Sequence, residues 1–194
     1  MLKDRFFYPI ALALIAGIIW VAMSRAETSN IISADVCKLG YTIEGEDLIL
    51  LEAGPGTNYN YFGAQGENAA YVSLYSHIAR DKADPPSAGV FAPIGYQYAQ
   101  VFHGKTIRMT IRAKAGRRRP LDSFDTGYFS VAAGSTQWQT FNLTDNFQDF
   151  SFDFSPRKVE PTEDIDYFGI WPGVKGKQTI MDVEKFQVTV LSGC

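Results

Sequence analysis

The chain has 194 residues, 46% of them hydrophobic and 14% aromatic, with a formal net charge of -3. That length holds one domain plus a targeting segment, and so apolar a composition excludes disorder as the default state. The acidic balance argues against bulk nucleic-acid binding, for which a basic domain is expected.

Residues 1–5 form a short basic start carrying Lys3 and Arg5, and residues 6–23 follow as an apolar run broken only by Pro9 and Gly17. As a helix this run is roughly 27 Å long, close to the thickness of a bilayer's hydrocarbon core. The cations before it favour a cytoplasmic N-terminus and export of everything after it. The pattern is that of a bacterial-type inner-membrane protein: cytoplasmic residues 1–5, a transmembrane anchor over 6–23, a polar linker over 24–35, and a periplasmic domain over 36–194. Trp20 near the far end suits the interface. Ser24-Arg25-Ala26 keeps a second reading open, because a small-x-small triplet is a signal-peptidase site and cleavage after Ala26 would release a secreted domain. The run has no polar face, which argues against a buried helix of a soluble protein. In the exported compartment the two cysteines, Cys37 and Cys194, read as a disulfide, with two free thiols as the alternative.

Beyond residue 35 the sequence reads as short strands. They are expected over 36–43, 47–52, 70–76, 105–114, 127–132, 137–143, 150–154, 166–171 and a closing stretch through 190. The clearest is 105–114, where Ile107, Met109, Ile111 and Ala113 alternate with Thr106, Arg108, Thr110 and Arg112. Such alternation suits a strand with one face on a core and one in water. Phe150, Phe152 and Phe154 repeat the pattern, as do Phe186, Val188 and Val190. Turn chemistry at Gly54-Pro55-Gly56, Asp84-Pro85-Pro86, Gly134-Ser135 and Pro172-Gly173 separates the strands. No stretch there holds a helical period for three turns, so an all-β antiparallel sandwich or barrel is expected. The closing strand carries a conflict. Continuing the Phe186/Val188/Val190 parity backwards buries Glu184 and Asp182, which is costly without partners. Either a bulge shifts the phase between Val183 and Phe186, or the acids lie at a sheet end with a partner such as a cation.

Three stretches resemble the jelly-roll carbohydrate-binding modules of the galactose-binding-like superfamily: Gly104 through Lys114 (GKTIRMTIRAK), Thr136 through Thr144 (TQWQTFNLT) with the phenylalanine strand after it, and DYFGIW from Asp166 with TIMDV from Thr179. The resemblance covers about residues 104–191; residues 54–102 do not fall on its pattern. It implies a jelly-roll sandwich, a saccharide ligand and no catalytic cofactor. It also implies a structural Ca²⁺ at the sandwich edge, with Asp182 as the matching ligand.

Ligand-facing candidates are sought among exposed rings beside amides. Tyr59 and Tyr61, interleaved with Asn58 and Asn60, form one cluster, and Tyr96 and Tyr98 form a second. Flat rings stack on sugar faces and amides bond the hydroxyls; ordinary core or loop packing is the other reading of the same rings. Trp138 and Trp171 lie within expected strands and read as core. Arg117, Arg118 and Arg119 form a turn that either binds anionic groups of the envelope or is simply solvated. His77 and His103 lie in unrelated stretches, and no metal-binding histidine pair, nucleophile elbow or phosphate loop is present. Acid pairs such as Glu44/Glu46 and Glu163/Asp166 do not by themselves define a glycosidase. The expected function is therefore a non-catalytic, membrane-tethered periplasmic module for a saccharide or envelope polymer. The alternative is a structural subunit docking on a membrane or periplasmic protein partner.

Overall fold

A computed structural model of the chain describes residues 14–15, 33–83, 87–161, 163–173 and 178–194. The expected anchor over residues 6–23, apart from Leu14 and Ile15, and the cleavage site after Ala26 lie outside the described residues. Among the described residues no helix is long and apolar enough to cross a membrane. Ser33–Cys194 forms one compact unit.

The unit opens with a helix, α1 (Ser33–Leu39), where a strand was expected from Val36. Asp35 in its first turn and Lys38 in its last suit the helix dipole. Gly40, at φ +73°, ends it by donating its N–H to the Val36 carbonyl. No side chain fits at Gly40, since a Cβ there would lie 2.2 Å from the Val188 carbonyl oxygen. The strand expected here shrinks to β1 (Tyr41–Glu44). Residues 47–52 also depart from expectation, forming a 3₁₀ turn over Gly45–Leu50 and then the short β2 (Glu52–Ala53). Leu48 and Leu51 are buried while Ile49 and Leu50 are exposed. That three-residue spacing is the 3₁₀ period, which an unbroken apolar run cannot be distinguished from by alternation.

The remaining elements are β3 (Thr57–Phe62), β4 (Tyr71–Ser76), β5 (Val90–Ile94), α2 (Tyr96–Phe102), β6 (Thr106–Ala115), β7 (Ser123–Phe129), β8 (Gln139–Asn142), β9 (Gln148–Phe154), β10 (Asp166–Trp171) and β11 (Ile180–Ser192). They build two antiparallel sheets. One runs β3-β4-β11-β6-β9, with β1 also paired to β11, and the other runs β2-β5-β10-β7-β8. The core between them takes Ile107, Met109, Ile111 and Ala113 from β6, as the alternation required, together with Phe124 and Tyr128 of β7 and Phe168 of β10. Phe168 meets Phe186 edge-on across the sandwich, with ring centroids 5.5 Å apart.

The conflict in the closing strand resolves as a bulge. The β11–β6 register shifts between Val183 and Lys185, so Met181 and Val183 and then Phe186 and Val188 all reach the core. Asp182 turns to the outer face of the first sheet, and Glu184 beside the bulge pairs with Arg112 at 3.0 Å. Cys37 and Cys194 are joined by a disulfide, fastening α1 to the chain's end.

Candidate functional site

The outer face of the second sheet carries the site. At its centre Gly169 of β10 and Gly127 of β7 are direct cross-strand partners. A Cβ on Gly127 would lie 2.9 Å from Thr136 Oγ1 and 3.0 Å from the Phe129 ring, and one on Gly169 would lie 2.4 Å from the Ala88 carbonyl oxygen and 3.0 Å from the same ring. Phe129 follows Gly127 on the same face, and its ring therefore lies down over the glycine pair instead of standing away from the sheet. Covering a bare glycine with a ring is a known way to stabilise strand pairing, and here the Phe129 ring shares that cover with Ala88 and Thr136 while itself lining the groove.

Trp138 stands beside this floor, its ring centroid 4.8 Å from that of Phe129 and tilted by 54°. On the other side Phe91 of β5 meets Tyr167 of β10 edge-on at 5.1 Å. These four half-buried rings line a groove of about 810 Å³, with Pro93 and the segment Ser87–Ala88 on one flank and Val131 and Ile165 at one end. The opposite direction is closed. Arg80 lays its guanidinium 4.9 Å over Trp138 and bonds the buried Asp125 at 3.1 Å, while the Thr140 hydroxyl donates to the same carboxylate at 2.6 Å. Among the described lining residues Glu52 is the one ionisable acid, so no pair of carboxylates faces across the groove. An aromatic-paved groove with few polar groups binds a ligand that offers flat apolar faces and little charge.

The residues singled out from the sequence lie elsewhere. Strand alternation divides the β3 cluster between two faces. Asn58 and Asn60 share the outer face of the first sheet with their partners Tyr75 and Ser73, whereas Tyr59 and Tyr61 pair with the core residues Leu74 and Val72. The Tyr59 hydroxyl is engaged in bracing the 3₁₀ turn, donating to the Leu51 carbonyl at 2.7 Å. Tyr98 sits on α2 and packs on Tyr41 with centroids 4.7 Å apart, while Tyr96 projects from the same helix. Neither pair of tyrosines enters the groove lining. The three arginines also separate. Arg117 lines a polar recess with Lys114, Asp182 and Glu184, Arg119 lines a different one at positive φ beside Gln178, and Arg118 lies exposed in the turn between them.

Asp182 is only 6% exposed and accepts a 2.6 Å bond from the Ser73 hydroxyl. Burial pushes its carboxyl above the ordinary aspartate range, although Ser73 and the Lys114 cation pull it down. Calcium takes six to eight oxygens. No group of three or more His, Cys, Asp or Glu side chains that could hold a metal forms among the described residues, and a lysine beside Asp182 is the wrong neighbour for a cation. The side chains gathered there do not fit Ca²⁺.

Trp171 is fully buried, as a core ring should be, whereas Trp138 is half-exposed on the groove wall. The signal for the groove was present in the sequence. Gly127-Tyr128-Phe129 and Tyr167-Phe168-Gly169 each place an aromatic on both faces of a strand. A sheet wet on one side has no packing reason to carry rings on that side.

No family model matches the sequence, and no curated protein matches it. Solved structures share its fold. A C-terminal family 22 carbohydrate-binding module of Clostridium thermocellum Xyn10B superposes with a TM-score of 0.55 at 10% identity, covering 80% of this chain and 94% of that one. The CBM22-2 xylan-binding domain of Paenibacillus barcinonensis Xyn10C gives 0.53 at 11% identity, covering 77% and 98%. The N-terminal CBM22-1 and GH10 modules of the Clostridium thermocellum endo-1,4-beta-D-xylanase 10B, solved with xylohexaose, give 0.54 at 10% identity; this chain spans 29% of that one. The carbohydrate-binding-module-like jelly roll is thus present, and β3, β4 and β5, from the stretch that the sequence pattern alone did not place, are strands of its two sheets.

Proposed function

We propose that this jelly roll is a non-catalytic saccharide-binding module whose ligand lies along the Phe129–Trp138 groove. The observation that carries the reading is the set of four rings, Phe91, Phe129, Trp138 and Tyr167, that line one groove, with Phe129 and Trp138 packed 4.8 Å apart. That geometry offers a sugar ring apolar faces along a groove of about 810 Å³. The xylan-binding and xylohexaose-bound proteins that share the fold support a polymeric saccharide as the ligand class.

Replacing Trp138 with alanine is expected to remove about 2 kcal/mol of binding, a loss of roughly thirtyfold in affinity. Calorimetric titration of the full chain with plant and envelope polysaccharides checks this. Undiminished binding by the variant would place the ligand elsewhere.

Residues 6–23 are proposed to hold the module on the outer face of the inner membrane, on the strength of their length and the cations before them. The full-length chain is then expected to stay in the membrane pellet after alkaline carbonate extraction. Recovery in the supernatant would rule out the anchor and favour the secreted form cut after Ala26. Docking on a protein partner remains the competing use of the same face, because Val131 and Ile165 are exposed aliphatic side chains at the groove's end.

A further inference from the structure

The outer face of the first sheet carries a recess of about 550 Å³, on the opposite side of the sandwich from the groove. The two share no lining residue. In the sheet beneath the recess Ser73 of β4 partners Asp182 of β11, and Asp182 partners Lys114 of β6. One wall is aromatic. Phe62 and Tyr71, partners across β3 and β4, stack with ring centroids 4.9 Å apart and 15° between their planes, and Phe62 is 44% exposed.

The polar groups beside this wall are of both kinds. Asp182 is oriented by the Ser73 hydroxyl, which donates to its Oδ1 at 2.6 Å. Lys114 holds its ammonium 4.5 Å from the centre of the Phe147 ring. Among the described residues the ion pairs of this face take Arg108 and Arg112, and neither Lys114 nor Arg117 is in one. The turn between β3 and β4 closes on backbone bonds between Gln65 and Asn68, at 3.1 and 3.0 Å. That closure uses neither side-chain amide, and both residues line the recess.

The balance of this lining selects the ligand. With Arg112 bonded to Glu184, three cations stand against three carboxylates, those of Glu67, Asp182 and Glu184. Neither a polyanion nor a polycation gains from the whole. A hydroxyl does gain, because it donates to a carboxylate and accepts from an ammonium at once. A sugar ring lying on an exposed phenylalanine brings several such hydroxyls to both kinds of partner.

We infer that this recess is a second saccharide site, for an uncharged sugar unit that stacks on Phe62 and bonds Asp182 and Lys114 through its hydroxyls. It goes beyond the groove reading and uses none of the groove's residues. Because the two sites lie on opposite faces of the sandwich, each takes its own chain, and one module bridges two polysaccharide chains.

The test is a calorimetric titration of the full chain in detergent with xylohexaose and with cellohexaose. Two oligosaccharides per chain are expected to bind, and Trp138→Ala is expected to weaken only the groove. Lys114→Met keeps the aliphatic stem and removes the ammonium, whereas Phe62→Ala removes the stacking face. Each is expected to weaken the second site about tenfold while the Trp138 emission change persists. A single site that Trp138→Ala weakens and the other two variants do not overturns the second site and leaves the groove reading intact. A single site weakened by Lys114→Met and Phe62→Ala but not by Trp138→Ala supports the recess and overturns the groove. Two sites that both withstand Lys114→Met and Phe62→Ala overturn the assignment to this recess. A hexagalacturonate held there more tightly than xylohexaose, and released by salt, overturns the uncharged ligand. Binding of neither neutral oligosaccharide overturns both readings together.

Discussion

Reducing the Cys37–Cys194 disulfide, or replacing both cysteines with serine, is expected to cost about 5 kcal/mol and to lower Tm by about 10–20 °C. The bridge spans a sequence separation of 157, so it encloses almost the whole sandwich, and the chain-entropy cost released to the unfolded state is correspondingly large. The native side of the equilibrium points the same way. The end of β11 pairs with β6 as far as Ser192 but buries no side chain beyond Val188, and Leu191 and Ser192 are exposed. At the other end α1 buries Val36 but leaves Leu39 in water. The two ends of the domain are weakly packed pieces that the bridge ties to one another. Thermal unfolding of the full chain followed by circular dichroism, with and without reductant, measures the effect. A shift below about 3 °C would mean that α1 and the β11 end are already held by packing alone.

Asp166→Ala is expected to destabilise the sandwich by about 3–5 kcal/mol, as much as truncating a large core ring. Asp166 is completely buried at the start of β10, facing inwards. Its Oδ2 receives the Tyr128 hydroxyl and lies 2.7 Å from His103 Nε2 at the end of α2. Its other oxygen has no hydrogen-bond partner among the described residues. Truncation would leave a buried tyrosine hydroxyl and a nearly buried imidazole without their shared partner, and the penalty falls on those groups. Asp166→Asn keeps one acceptor oxygen and is expected to cost much less. Burial first, and the adjacent carboxylate second, drive the Tyr128 hydroxyl far above the ordinary tyrosine range. It should therefore be missing from a phenolate titration of the folded protein. The cluster also bears on the groove, because Tyr128 precedes Phe129 and Asp166 precedes Tyr167. The inward-facing residues belong to the two strands whose next residues, Phe129 and Tyr167, line the groove. Equilibrium urea unfolding of both variants separates the outcomes; equal stability of Ala and Asn would show that the shared bonds contribute little.

Legibility in the sequence followed the strength of the local pattern. β6 could be read almost to its ends because Ile107 through Ala113 alternate without exception and one face is water. The bulge in β11 was legible as a contradiction, two acids on a core parity, before any coordinate showed its position. α1 and the 3₁₀ turn were not legible. Their apolar residues are few, and the deciding feature in α1 is a glycine terminator packed against β11 from the far end of the chain. β5 and α2 are equally short, seven residues or fewer, and their pairing partners are remote in sequence.

The candidate groove was harder still to read. Tyr59 and Tyr61 look like binding residues in a Gly/Asn-rich stretch, but strand parity turns them inwards, and their neighbouring asparagines face the other way. The groove instead draws on β5, β7, β10 and the approach to β8, with no motif in common. Only the cross-strand register brings Gly127 and Gly169 together and lets Phe129 lie across them. Trp138 read as core because its strand was expected to begin at residue 137, whereas β8 begins at Gln139 and leaves the indole on the groove wall.

Of the three tryptophans, Trp171 is fully buried and Trp20 belongs to the proposed anchor, so Trp138 is the one set beside the proposed ligand. The most direct measurement is a fluorescence titration of the full chain and of Trp138→Phe with xylan and its soluble oligosaccharides. A saturable emission change in the unmodified protein that is absent from Trp138→Phe is the expected result. A change that persists in Trp138→Phe, or one abolished instead by Tyr59→Ala or Tyr96→Ala, would contradict a ligand in the Phe129–Trp138 groove.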